Sequence, residues 1–197
     1  MNFYVNGNKL DITLENEKTV GDVLKGFEEE AEKNDATTVS IELNGNVIDA
    51  EKLDEAFSQE LRESTDLRLQ VISKNDITQN FAINAENFMK ISKGLQNISV
   101  LLQSGKEKDA NEIIENLANE IDRFCHTATL SALFPDTYRK IIIDGNDLGT
   151  FFGEFTPIFK DFKDAMEAKD TVTVADLAEY EISPRLEQIA KAIADSQ

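Results

Sequence analysis

The amino-acid sequence predicts an α+β protein: a small mixed front domain (residues 1–73), a short linker (74–78) and an antiparallel four-helix bundle (79–197). Three observations carry this expectation. Before residue 73, apolar and polar residues alternate at period two in several short stretches, as half-buried strands do. Two turns in that region share one core, Asn6-Gly7-Asn8 and Asn44-Gly45-Asn46. From Ile77 onward the apolar residues recur every three or four positions, the helical period.

In order, residues 2–5 and 9–14 read as two strands, with Phe3 and Val5, then Leu10, Ile12 and Leu14 on one face. Asn-Gly between them suits a tight hairpin, since both residues tolerate positive φ. Thr19 with Asp22 forms a capping-box pattern, and Val20, Val23, Leu24, Phe27 and Ala31 then make one helical stripe. Val39, Ile41 and Leu43 restore the strand period before the second Asn-Gly turn. Leu53, Phe57 and Leu61 predict a helix over 51–62, and Leu67, Leu69 and Val71 a last strand.

That order of elements resembles the ubiquitin-like β-grasp fold over residues 1–73. The resemblance implies a first and last strand paired in parallel at mid-sheet, with the main helix across one face. Ubiquitin-like modifiers end in an exposed Gly-Gly after the last strand, whereas here Val71 leads into Ile72-Ser73-Lys74-Asn75-Asp76. Conjugation and sulfur-carrier roles are therefore not expected, which leaves a docking or dimerisation module.

The bundle is expected to hold four long helices. The first runs from Ile77 to Leu102 and stops at Ser104-Gly105, and the second carries Ala110, Ile113, Leu117, Ile121 and Phe124. Between Thr129 and Asn146 the reading divides: Tyr138-Arg139-Lys140-Ile141-Ile142-Ile143 fits a helical turn or an extended piece, and Asp144-Gly145-Asn146 is a turn. The third helix, 147–168, holds five of the twelve phenylalanines and Pro157, where a kink is expected. The fourth follows Asp170-Thr171 and meets a second proline at Pro184. Phe151, Phe152, Phe155 and Phe159, with Tyr180 at a rim, either fill the core or line a groove for a partner's amphipathic helix.

The residues offer little chemistry. A single cysteine, Cys125, precludes an intramolecular disulfide, and the one histidine, His126, is its neighbour. Adjacent helical residues point about 100° apart, as expected for 3.6 residues per turn, so this is no nucleophile–base pair. Zinc and di-iron patterns need more histidines or cysteines than the chain has. The loop at Asp144 is not a calcium site, because Leu148 occupies a required ligand position. No cofactor, metal or catalytic activity is expected.

The net charge of −18 is shared: 17 acids against 7 bases in residues 1–73, and 21 against 13 in the rest. Such a field disfavours nucleic acid and anionic membrane surfaces. The N-terminus carries no signal-peptide pattern, so a cytoplasmic location is expected. The leading expectation is a non-enzymatic adaptor or chaperone-like protein whose partner is a protein, basic or presenting an amphipathic helix. In size and charge the helical part is similar to acidic secretion and flagellar export chaperones. The alternatives are a self-associating structural homodimer, and an enzyme or metal protein whose site forms only in three dimensions.

Overall fold

β1 (Asn2–Val5) and β2 (Asn8–Leu10) form the first hairpin in the computed structural model, which describes residues 1–138 and 141–196. Its turn is Asn6-Gly7, both at positive φ, the type I′ geometry that matches strand twist. The second strand is shorter than the alternation over 9–14 predicts. Phe3 faces Leu10, so the antiparallel register places residue 12 opposite Met1 and offers residues 13 and 14 no partner.

α1 (Val20–Glu32) opens with the predicted capping box: Thr19 Oγ1 accepts the Asp22 N–H at 3.2 Å, and the Asp22 carboxylate accepts the Thr19 N–H at 2.9 Å. β3 (Ala36–Leu43) and β4 (Asn46–Val47) form the second hairpin, turning at Asn44-Gly45 with positive φ again. β5 (Asp66–Ser73) then enters the centre of a sheet ordered β2-β1-β5-β3-β4, parallel to β1 and antiparallel to β3. Both turn asparagines reach β5. Asn6 exchanges two hydrogen bonds with the Val71 backbone, and Asn44 Oδ1 accepts the Asp66 N–H. Phe3, Val20, Leu24, Leu43, Leu67 and Leu69 fill the core between α1 and the sheet.

The helix expected over 51–62 is a 3₁₀ turn (Ala50–Lys52) and a short α2 (Leu53–Phe57). Beyond it the Val20 N–H donates to the Gln59 carbonyl and the Leu61 N–H to the Lys18 carbonyl. Residues 59–61 thus pair with the approach to α1, and Leu61 packs on the core from an extended segment. Gly21 is required where α1 meets α2: a Cβ there would stand 2.9 Å from the Phe57 carbonyl oxygen.

The chain divides into two units, Met1–Asp76 and Ile77–Gln197. The expected linker 74–78 is helical, because Ser73 and Asp76 form a second capping box that starts α3 (Lys74–Leu95) directly after β5. The first long helix is also interrupted. The Asn97 side-chain amide takes the Lys93 carbonyl at 2.9 Å, the competition that ends helices at such residues, and α4 (Ile98–Gln103) follows as a separate piece. Gly105, at positive φ, then closes a Schellman motif in which the Lys106 N–H donates to the Leu101 carbonyl.

α5 (Glu107–Ser131) and α6 (Pro135–Tyr138) come next. Arg139 and Lys140, within the ambiguous run, lie outside the described residues. Ile142–Ile143 is extended, as β6, and pairs with β7 (Asn146–Asp147) across a third type I′ turn at Asp144-Gly145. α7 (Leu148–Glu167) runs through Pro157 as one element, capped by Asp147. The last helical run is α8 (Thr171–Asp176), a π-helical stretch (Leu177–Ile182) and α9 (Ser183–Ser196). Pro184 accounts for the π stretch: in α register its ring would press on the Tyr180 carbonyl, and the wider turn relieves that contact.

Two outcomes test this account of the front unit. Gly21→Ala lowers its stability by about 1–3 kcal/mol, the range for forced overpacking, read as a reduced denaturation midpoint. Hydrogen bonds from the Lys18 and Thr19 backbones hold the Asp22 carboxyl below the usual aspartate range. Its contribution is therefore complete above the unfolded aspartate pKa and lost as pH falls through the lower folded value. The melting-temperature gap between wild type and Asp22→Ala should be largest at neutral pH and close in acid.

Candidate docking groove

The four phenylalanines predicted to line an aromatic groove pack on one another along α7. Phe151 and Phe155 are buried, Phe152 and Phe159 are half-buried, and Tyr180 is 66% exposed. The physical cause is the ring packing of the helical unit. Phe81 and Phe88 of α3 stand 5.7 and 5.3 Å from Phe124 of α5, whose ring meets Phe152 of α7 at 5.2 Å. Phe155 touches Phe151, Phe152 and Phe159, the last at 4.2 Å. The α7 stripe thus continues the aromatic core of α3 and α5. Tyr180 lies on the π stretch, where a hydrogen bond to the Glu179 carboxylate pushes its phenol pKa up.

Sequence periodicity missed a set of buried polar groups in this unit. Glu120 is buried, and its carboxylate accepts from the side-chain amides of Asn84 (2.6 Å) and Asn87 (3.0 Å), with Arg123 at 3.7 Å. This ties α5 to α3. The available signal was a polar residue on an apolar stripe: Asn84 between Phe81 and Phe88, Glu120 between Leu117 and Phe124. Ser92 and Ser183, both buried, meet at 2.9 Å, and Ser92 also donates to Glu187, joining α3 to α9. Each set links two helices by hydrogen bonds and reads as interhelical fastening, with Asn84 Oδ1 left buried without a partner. Cys125 and His126 are exposed. Among the described residues, no group of three or more His, Cys, Asp or Glu is placed to hold a metal, and no helix is long and apolar enough to cross a membrane.

A groove of about 760 Å³ lies in the front unit between α1, β3 and the 50–57 segment. α1 supplies Gly21, Leu24, Lys25 and Glu28, which share one flank by helical spacing. β3 supplies Thr38, Val39, Ser40 and Ile41. Ile48, Leu53 and Phe57 close the far side. Most of this lining is apolar, and Val39 and Phe57 stand 41% and 38% exposed there. The β3–β5 ladder shifts register between Thr38 and Ser40, so Val39 is the extra residue of a bulge. The Thr38 N–H donates to the Glu28 carboxylate at 2.8 Å, while Thr38 Oγ1 is buried without a hydrogen-bond partner.

Residues 1–73 match the model of the TP0873 N-terminal domain, and residues 85–192 match that of a domain of unknown function, DUF8042. An uncharacterised protein of Treponema pallidum (strain Nichols) is 29% identical over 193 residues, spanning 98% of this chain and 96% of the relative. That likeness runs through both units. No solved structure matches the chain.

If the α7 rings are core, Phe155→Ala costs about 3–5 kcal/mol, as complete aromatic truncations do. Tyr180→Asp, at an exposed site, changes stability by no more than about 0.5 kcal/mol. Chemical denaturation of the two variants reads both values.

Proposed function

We propose that this chain, which belongs to the DUF8042 family, is a non-enzymatic adaptor or chaperone-like protein that docks a protein partner in the groove between α1 and β3. The observation that carries this reading is the groove itself: an apolar lining with exposed Val39 and Phe57, in a unit of 17 acids and 7 bases. A groove with an apolar lining and a polar rim is one form that binding sites take. The strand order β2-β1-β5-β3-β4, with β1 and β5 parallel, supports a ubiquitin-like β-grasp. Helical runs at 74–103, 107–131, 148–167 and 171–196 support a four-helix bundle in the second unit.

The docking site in this reading is on the front unit, because the α7 phenylalanines pack on one another and on Phe124. An acidic surface keeps nucleic acid and anionic lipid away and favours a basic protein in a cytoplasmic setting. Buried Glu120 is already paired with Asn84 and Asn87, which fits a fastening better than a catalytic group.

The test is site-specific photo-crosslinking in native cells, with the probe at position 39, 57 or 180. One protein crosslinked from positions 39 and 57 but not from 180 is the expected result. Equal crosslinking from all three, or a product consisting only of this chain, would reject the adaptor reading. The second product would favour a structural homodimer.

A further inference from the structure

We propose that the groove's occupant is an extended, basic segment of a protein partner, added as a strand along the outer edge of β3; this rests on the docking reading above.

The edge is open where the groove lies. β4 pairs only with Glu42 and Leu43, and the Ile41 carbonyl is taken by the Ile48 N–H. From Ala36 to Ser40, no described strand lies on the side of β3 away from β5. A strand edge presents backbone donors and acceptors that only another extended chain satisfies in series, since a helix uses its own internally. The occupant is therefore extended.

One donor at this edge is held by a side chain that a backbone can replace. The Thr38 N–H donates to the Glu28 carboxylate, which comes from the opposite wall of the groove. An incoming strand can supply a carbonyl to it in place of Glu28. Its alternate side chains then meet Leu24, Ile41, Leu53 and Phe57, so one face of the segment is apolar.

Charge decides the other face. The lining holds Asp22 and Glu28 against Lys25 alone, within a unit rich in acids. A lysine or arginine of the partner draws Glu28 into an ion pair and frees the Thr38 N–H for the partner's carbonyl. Glu28 thus guards the edge against indiscriminate strand pairing and admits a basic segment. A second copy of this chain, at net charge −18, is a poor occupant.

The experiment titrates the isotope-labelled full chain with a blocked octapeptide of alternating valine and lysine, reading amide shifts and amide exchange. Expected are saturable shifts confined to Thr38–Ile41 and the facing flank of α1, with slowed exchange at β3. An alternating valine–glutamate octapeptide leaves these signals unmoved. Glu28→Gln weakens binding about two- to fivefold, the scale of one partly exposed ion pair. Val39→Asp abolishes it while the rest of the spectrum keeps its dispersion. Shifts scattered over the acidic surface, or no groove shift at millimolar peptide, overturn the proposal. Groove shifts without slowed exchange also overturn strand addition. In that case, crosslinks to a partner from positions 39 and 57 would leave the docking reading standing; their absence would remove both.

Discussion

The front unit depends on β5 being held from both sides. It arrives last in that unit, yet it is the central strand, parallel to β1 across more than sixty residues of sequence and antiparallel to β3. Leu67 and Leu69 are almost wholly buried beneath α1. The two Asn-Gly turns add polar ends to this arrangement, Asn6 at Val71 and Asn44 at Asp66. Turn residues chosen for positive φ therefore also fix the register of the strand that closes the sheet.

The same placement creates the groove. With β5 on its inner side, β3 has only the two-residue β4 outside it, and most of its outer edge faces the flank of α1. Gly21 lets α2 approach α1 closely, which brings Phe57 into the groove wall. The bulge turns Val39 outward, and Glu28 shields the one edge N–H that it reaches. The site is thus a by-product of how a five-stranded sheet is finished at one edge, and acids around it select what can enter.

In the helical unit, aromatic packing and polar fastening divide the work. Rings on α3, α5 and α7 form a continuous cluster around Phe124, which stabilises without fixing azimuth strongly. Glu120 with its two asparagines, and Ser92 with Ser183 and Glu187, are directional and pair particular helix faces. Buried polar networks of this kind select one packing among several that a phenylalanine-rich core would tolerate. Pro184 is absorbed by a π stretch, so the last helical run stays continuous.

Local patterns determined most of the elements. Asn-Gly turns, the Thr19–Asp22 capping box and the stripes of α1, α5 and α7 were legible because each depends on residues within a few positions of one another. What required the tertiary structure was every feature set by distant partners. The register of β2 on β1 leaves residues 13 and 14 without a partner, and residues 59–61 extend because the approach to α1 lies beside them. A core stripe and a groove stripe have the same period, so spacing could not place the α7 phenylalanines, and the contact of Phe152 with Phe124 comes from another helix. The groove between α1 and β3 was invisible for a similar reason. Val39, Ile41 and Leu24 each looked like ordinary buried-face residues, and only the missing neighbour of β3 leaves their side of the sheet open.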